Sequence, residues 1–297
     1  MTFLSSCQTS FPSVTEKIAH YPIGMFDSGV GGLTVMRELM ALLPQESVNY
    51  FGDTAHFPYG SQSAETIVTY ATAIANFLAE HSLKMLVIAC NTASAYALSA
   101  LQDRHPFPII DVISSGVEKA ALATKTGSIA VLGTKGTIRS GIYQQKLKER
   151  IPDAQVFALA CPLLAPLVEE QFLDHPATTL IIREYLKRIE KESFDTILLG
   201  CTHYPFLKES IQAIVGEGIK IIDSASACAW KIKEELETRG QLNAQHQPSY
   251  HFYVSAEADD FQKTGELFLK KPLNQISLAT PSSLHSTAAL IYANKVC

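Results

Sequence analysis

An α/β fold built from two related halves is what this 297-residue sequence predicts, on three observations. Short apolar runs alternate with helix-length amphipathic stretches from Tyr21 onward. Two of these runs end alike, in a small residue, a cysteine and polar groups: Met85-Leu-Val-Ile-Ala-Cys-Asn-Thr and Thr196-Ile-Leu-Leu-Gly-Cys-Thr-His. A glycine-rich strand end lies a similar length of chain upstream of each, Phe26-Asp-Ser-Gly-Val-Gly-Gly and Leu132-Gly-Thr-Lys-Gly-Thr.

The apolar runs are the expected strands: Ile23–Phe26, Val48–Phe51, Met85–Ala89, Ile109–Val112, Ser128–Leu132, Gln155–Leu159, Thr196–Leu199, Lys220–Ile222 and His251–Val254. Their near-continuous hydrophobicity suits strands covered on both faces. The clearest helix begins at Ser63, where Ile67, Tyr70, Ala71, Ile74, Phe77 and Leu78 fall on one face. Strands alternating with helices give βαβ units and mostly parallel sheets. Two such halves place one cysteine each across a shared cleft.

Composition excludes several classes. Hydrophobic residues at 47% and charged residues at 18% describe a globular chain, and a net charge of -5 leaves no footprint for nucleic acid or an anionic membrane. The longest apolar runs fall far short of the roughly 20 residues that cross a bilayer. Residues 1–20 read as a polar extension without a secretion signal, so the expected compartment is cytoplasmic. Of six cysteines, none forms a Cys-x-x-Cys pair, which argues against a structural zinc site. Reduced thiols are expected.

Ligands of open α/β sheets bind beyond the carboxyl ends of the strands. Asp27, Asp53, Cys90 and Cys201 stand at such ends. A lone cysteine after an apolar strand is usually a small buried hydrophobe. That reading suits Cys7, Cys161, Cys228 and Cys297. Cys90 and Cys201 rise above it because Asn91-Thr92 and Thr202-His203 follow them. Asp27 or Ser28 could cap the next helix, and Asp53 could hold a turn. The Gly29-Val-Gly-Gly32 loop lacks the lysine of a P-loop and the spacing of a dinucleotide site. Glycines there equally let backbone amides approach a carboxylate. His203 beside Cys201 suggests a thiol hydrolase, but residues so close on a strand end seldom align as base and nucleophile. His56, His105 and His175 carry no pattern.

Four blocks in order, Phe26-Asp-Ser-Gly-Val-Gly-Gly-Leu-Thr, Gly52-Asp-Thr-Ala-His-Phe-Pro-Tyr-Gly, Ala89-Cys-Asn-Thr-Ala-Ser and Leu199-Gly-Cys-Thr-His-Tyr-Pro, resemble those of the glutamate racemases, in the aspartate/glutamate racemase family. Weaker matches follow at Leu132-Gly-Thr-Lys-Gly-Thr-Ile-Arg-Ser, Pro166-Leu-Val-Glu and Ile222-Asp-Ser. The likeness runs from about Ile23 to Tyr253-Val-Ser-Ala. Departures are His56, where the family usually has arginine, and Leu132-Gly-Thr in place of Leu-Ala-Thr.

The resemblance implies two pseudo-symmetric α/β domains with the active site between them. The first is discontinuous, 21–116 plus 224–297, and the second is 117–223. It implies racemisation of free glutamate without cofactor or metal, Cys90 taking the α-proton of D-glutamate and Cys201 that of L-glutamate. Asp27 would assist Cys90, His203 would assist Cys201, and Glu169 would support them. Substrate contacts fall on Asp27, Ser28, Tyr59, Gly60, Asn91, Thr92, Thr202 and His203, while Asp53 is expected to be structural. The implied role is supply of D-glutamate for peptidoglycan, and dimers are common in the family. The alternatives are a racemase for aspartate or another acidic amino acid, a thiol hydrolase or amidase using Cys201 with His203, and a non-catalytic binder of an acidic amino acid.

Overall fold

Ten strands form two wholly parallel sheets in a computed structural model that describes residues 18–244 and 247–281. Cys7, Cys297, most of the expected extension and the C-terminal part of the first expected domain lie outside the described residues. The first sheet contains β1 (Ile23–Asp27), β2 (Val48–Gly52), β3 (Met85–Ile88), β4 (Ile109–Asp111), β9 (Tyr250–Val254) and β10 (Ile276–Leu278). Its order is β10-β9-β2-β1-β3-β4. The second contains β5 (Ser128–Gly133), β6 (Gln155–Ala160), β7 (Thr196–Gly200) and β8 (Lys220–Asp223), in the order β6-β5-β7-β8.

All nine expected strands form within one residue of their expected limits. β1, β2, β3 and β7 are buried throughout, as strands covered on both faces must be. Val112 is not the end of β4. It opens a helix, because the Asp111 carboxylate accepts from the amides of Ile113 and Ser114, each at 2.9 Å. The helix expected from Ser63 spans Ala64–Ala79 with Ser63 as its cap, the hydroxyl accepting from Thr66 N at 3.1 Å. Ile67, Ala71, Ile74 and Leu78 form its buried stripe. The unforeseen tenth strand, β10, pairs only with β9 at the sheet edge.

The chain crosses between sheets twice, through helices Val112–Ala123 and Ser224–Arg239, which pack against each other. Both crossings start alike. Asp111 ends β4 and caps the first helix, and Asp223 ends β8 and caps the second, accepting from Ser226 N at 2.8 Å. One apolar cluster runs from Met25, Tyr50 and Val87 in the first sheet to Ala130, Ile197 and Leu199 in the second. The carboxyl ends of both sheets therefore meet at one cleft.

The opposite end of the first sheet is clasped by Lys84, 1% exposed. Its ammonium pairs with the buried Glu46 carboxylate and donates to the carbonyls of Ala19 at 2.9 Å and Gln241 at 3.0 Å. Glu46 also accepts from Asn243 N at 2.9 Å, so the returning chain after Arg239 is tied to the amino end of β3. Removing one member strands a buried charge. Lys84→Met is expected to cost about 3–5 kcal/mol in denaturant unfolding, with Lys84→Met/Glu46→Leu recovering part of it; an unchanged single variant contradicts this account.

Candidate active site

A cavity of about 240 Å³ opens where the two sheets present their strand ends. Asp27, Ser28, Tyr59, Gly60, Cys90, Asn91, Thr92, Cys201, Thr202 and His203 all line it. Of the sequence-predicted residues Glu169 alone stands behind the wall, its carboxylate 2.8 Å from His203 Nε2. The space is smaller than the roughly 300–1,000 Å³ typical of drug-sized ligands, so it suits a small metabolite better than a dinucleotide.

Cys90 follows β3 and is the cap of helix Asn91–Gln102, with the Ala93 amide 3.4 Å from its sulfur. Ser28 Oγ lies 3.7 Å from that sulfur. Burial, reinforced by the Asp27 carboxylate, pushes the Cys90 thiol up to about 12. Cys90 is therefore a protonated thiol at rest. Asp27 does not cap the helix that follows it, since that helix starts at Gly32 without a side-chain cap. Its Oδ1 instead accepts from Gly29 N at 2.9 Å, while Oδ2 is buried with no hydrogen-bond partner among the described residues. Burial raises the Asp27 carboxyl, and His203 pulls it back down.

Cys201 follows β7, and the chain turns so that His203 Nδ1 comes within 3.9 Å of its sulfur. The expectation that two residues so close in sequence would not align is overturned by this turn. Burial opposes a charged imidazole, but hydrogen bonds to Cys201 and Glu169 outweigh it and raise His203 to about 10. His203 thus carries positive charge at neutral pH. The two thiols have opposite company, a carboxylate beside Cys90 and an imidazolium beside Cys201.

Glycines matter here for space rather than for backbone freedom. A Cβ on Gly31 would lie 2.3 Å from Thr202 Oγ1 and 2.6 Å from the His203 ring. The Gly29–Gly32 loop is thus a close-packed seam against the other half. Asp53 is wholly buried and outside the cavity lining, its carboxylate accepting from Tyr59 at 2.5 Å, Ser255 at 2.7 Å and His56 at 2.8 Å. It fixes the segment that carries Tyr59 and Gly60. His56, which also stacks on Tyr70, serves that support.

The sequence reading missed Phe57, Thr134 and Lys135 as lining residues. Thr134 was within reach of the duplication, since it follows the end of β5 as Ser28 follows the end of β1. It forms a ring of hydroxyls with Thr92 and Thr137, at 3.0 to 3.2 Å. His175 caps helix Pro176–Leu186, and Cys161 and Cys228 are buried free thiols outside the lining. Among the described residues no group of three or more His, Cys, Asp or Glu is arranged to hold a metal, and no helix is long and apolar enough to cross a membrane.

The profile of the Asp/Glu/hydantoin racemase family matches residues 24–232. The chain belongs to that family. It is 46% identical to a glutamate racemase of Syntrophus aciditrophicus over 254 residues, covering 85% of this chain and 94% of the relative. A crystal structure of a glutamate racemase isoform from Bacillus anthracis superposes with a TM-score of 0.85 at 38% identity, covering 88% of this chain and 98% of that one. A Francisella tularensis glutamate racemase in complex with D-glutamate gives 0.84 at 36% identity, covering 89% and 99%. The two-sheet racemase fold expected from the sequence is confirmed by these likenesses.

The His203–Glu169 pair has a pH signature. His203 is raised in the fold, so the stability it contributes is fully present below the unfolded imidazole's value near 6.5 and is lost as pH climbs through about 10. The stability advantage of the wild type over His203→Gln is expected to shrink between those limits in denaturant unfolding. A pH-independent difference would show that the imidazole is uncharged.

Proposed function

We propose that this protein interconverts L- and D-glutamate by passing the α-proton between Cys90 and Cys201. The observation that carries the reading is a single small cavity walled by two thiols, each at a strand end of a different sheet. Relatives and solved structures named glutamate racemase, matched over most of their length, support glutamate as the substrate.

In the L-to-D direction Cys201 acts as thiolate, facing the positive charge of His203. Its sulfur forms an S–H bond as the Cα–H bond of L-glutamate breaks. The electron pair stays on the substrate as a planar carbanion, and the Cys90 thiol delivers its proton to the opposite face. Cys90 is left as thiolate, ready for the reverse reaction. Asp27 Oδ2 and Asn91 Nδ2 are both buried and without a hydrogen-bond partner among the described residues, so the first is an acceptor for the substrate ammonium and the second a donor for a carboxylate. Fixed donors in a water-poor cavity stabilise the charge that develops as the proton leaves. Ser28, Thr92, Thr202, Tyr59 and Gly60 complete the wall, with Glu169 holding His203.

The division into domains 21–116 plus 224–297 and 117–223 belongs to the same proposal, with the paired crossing helices as the joint. So do a cytoplasmic role in supplying D-glutamate for peptidoglycan and a homodimeric assembly, both taken from the family likeness.

Cys90→Ser and Cys201→Ser are each expected to lower racemisation by at least about a hundredfold, the usual scale for losing a general acid–base group. In deuterated water Cys201→Ser should still exchange the α-proton of D-glutamate without inverting it, and Cys90→Ser should do the same with L-glutamate. Near-normal inversion by either variant removes the two-thiol scheme. Running L-aspartate beside L-glutamate separates the two racemase readings.

A further inference from the structure

Tyr143 is the second residue of helix Ile142–Arg150 and is fully buried. In sequence it belongs with the second sheet, yet its hydroxyl donates to Asn91 Oδ1, in the residue next to Cys90, at 2.6 Å. The same side chain lies against Gly200, the last residue of β7 and the neighbour of Cys201. A Cβ on Gly200 would fall 2.8 Å from Tyr143 Cε2 and 3.3 Å from Cζ. One tyrosine therefore touches the residue after one thiol and the residue before the other.

The polarity of the contact follows from what each atom has left. Burial holds the phenol well above its ordinary value, so it keeps its proton. Asn91 is its sole hydrogen-bond partner among the described residues. Turning the amide over would set an N–H donor against the phenol oxygen and leave the phenol proton without an acceptor. With Oδ1 engaged, Asn91 Nδ2 is buried and has no partner among the described residues, and Asn91 lines the cavity. A buried donor left open is costly unless a ligand acceptor completes it.

We propose that Tyr143 is a positioning residue that fixes the Asn91 amide as a hydrogen-bond donor to a substrate carboxylate and sets its distance from Cys201. This rests on the glutamate racemase reading above. L- and D-glutamate have equal free energy, so kcat/KM must be equal in the two directions for every variant. That equality checks each data set.

The experiment is a double-mutant cycle on the full chain, with glutamate racemisation measured in both directions. Tyr143→Phe keeps the ring against Gly200 and removes the hydroxyl alone. It is expected to lower kcat/KM about tenfold, mainly through KM, because the carboxylate is present in ground state and transition state alike. In the Asn91→Ala background the same change should cost less than about twofold, since there is no amide left to orient. Asn91→Asp keeps the acceptor for Tyr143 but loses the donor, and it should be at least as damaging as Asn91→Ala.

If the Asn91 variants turn over too slowly to time, the cycle is read as calorimetric binding of D-glutamate. Equal losses from Tyr143→Phe in both backgrounds, or an Asn91→Asp protein with wild-type KM, overturn the proposal. The Asn91→Asp arm can still overturn it if Tyr143→Phe does not fold. A wild-type protein that makes no D-glutamate would instead sink the racemase reading.

Discussion

The cavity depends on one seam, the contact of the Ser28–Gly32 loop with Thr202 and His203. Gly31 admits the Thr202 hydroxyl and the His203 ring into the space where a side chain would stand. The Thr34 hydroxyl stitches the same edge, donating to Gly31 O at 2.9 Å or to Thr202 O at 3.1 Å. Because the seam is tight, the two strand ends are held in contact without a covalent link. Because it is made of backbone and small groups, room remains beside it for a ligand between Cys90 and Cys201. Neither sheet alone could enclose that room.

Burial then sets the chemistry. A thiol in water is partly ionised near neutral pH, and its proton is readily lost to solvent. Inside the cavity the proton on Cys90 is held up to about 12 by the absence of water and the nearness of Asp27. His203 holds its own proton to about 10, because Cys201 and Glu169 compensate for its burial. The site thus keeps an acid on one face and a cation-backed sulfur on the other. On the proposed two-thiol scheme, the same burial shields a proton taken up by one sulfur until its counterpart acts.

Much of this was legible in the sequence because parallel strands buried on both faces leave long apolar runs. The polar groups that interrupt such runs stand out. Cys90 and Cys201 were visible for that reason, as were Asp27 and Asp53. β10 was not, since a three-residue edge strand with exposed Ser277 and Leu278 has no apolar run to show. Tyr143 was equally hidden. An aromatic residue in a short, weakly patterned helix reads as ordinary core, and only the fold brings its hydroxyl to Asn91. The resemblance implied that His203 assists Cys201, whereas the residues alone argued against their alignment; the turn after Gly200 brings His203 Nδ1 to 3.9 Å from the sulfur. The fold was read from repeated patterns. What escaped were an edge strand and a contact made across the repeat.

The two halves are alike in backbone and unlike in charge, and this difference has a definite consequence for a reaction between mirror images. The equilibrium between L- and D-glutamate cannot respond to the enzyme, so the asymmetry cannot favour one product. It can change only how each direction divides its efficiency between turnover and saturation. On the proposed two-thiol scheme, the form with a thiol at Cys90 and sulfur opposite imidazolium at Cys201 accepts L-glutamate directly. The form left behind has a sulfur anion beside the Asp27 carboxylate, a costlier pairing in a dry cavity. That form must bind D-glutamate or return its proton before it can bind L-glutamate again. In the proposed binding mode the substrate ammonium is the cation that relieves Asp27, whose Oδ2 has no partner among the described residues. Occupancy by glutamate is therefore what makes the less stable protonation state affordable, and it ties the proton inventory of the site to its ligand.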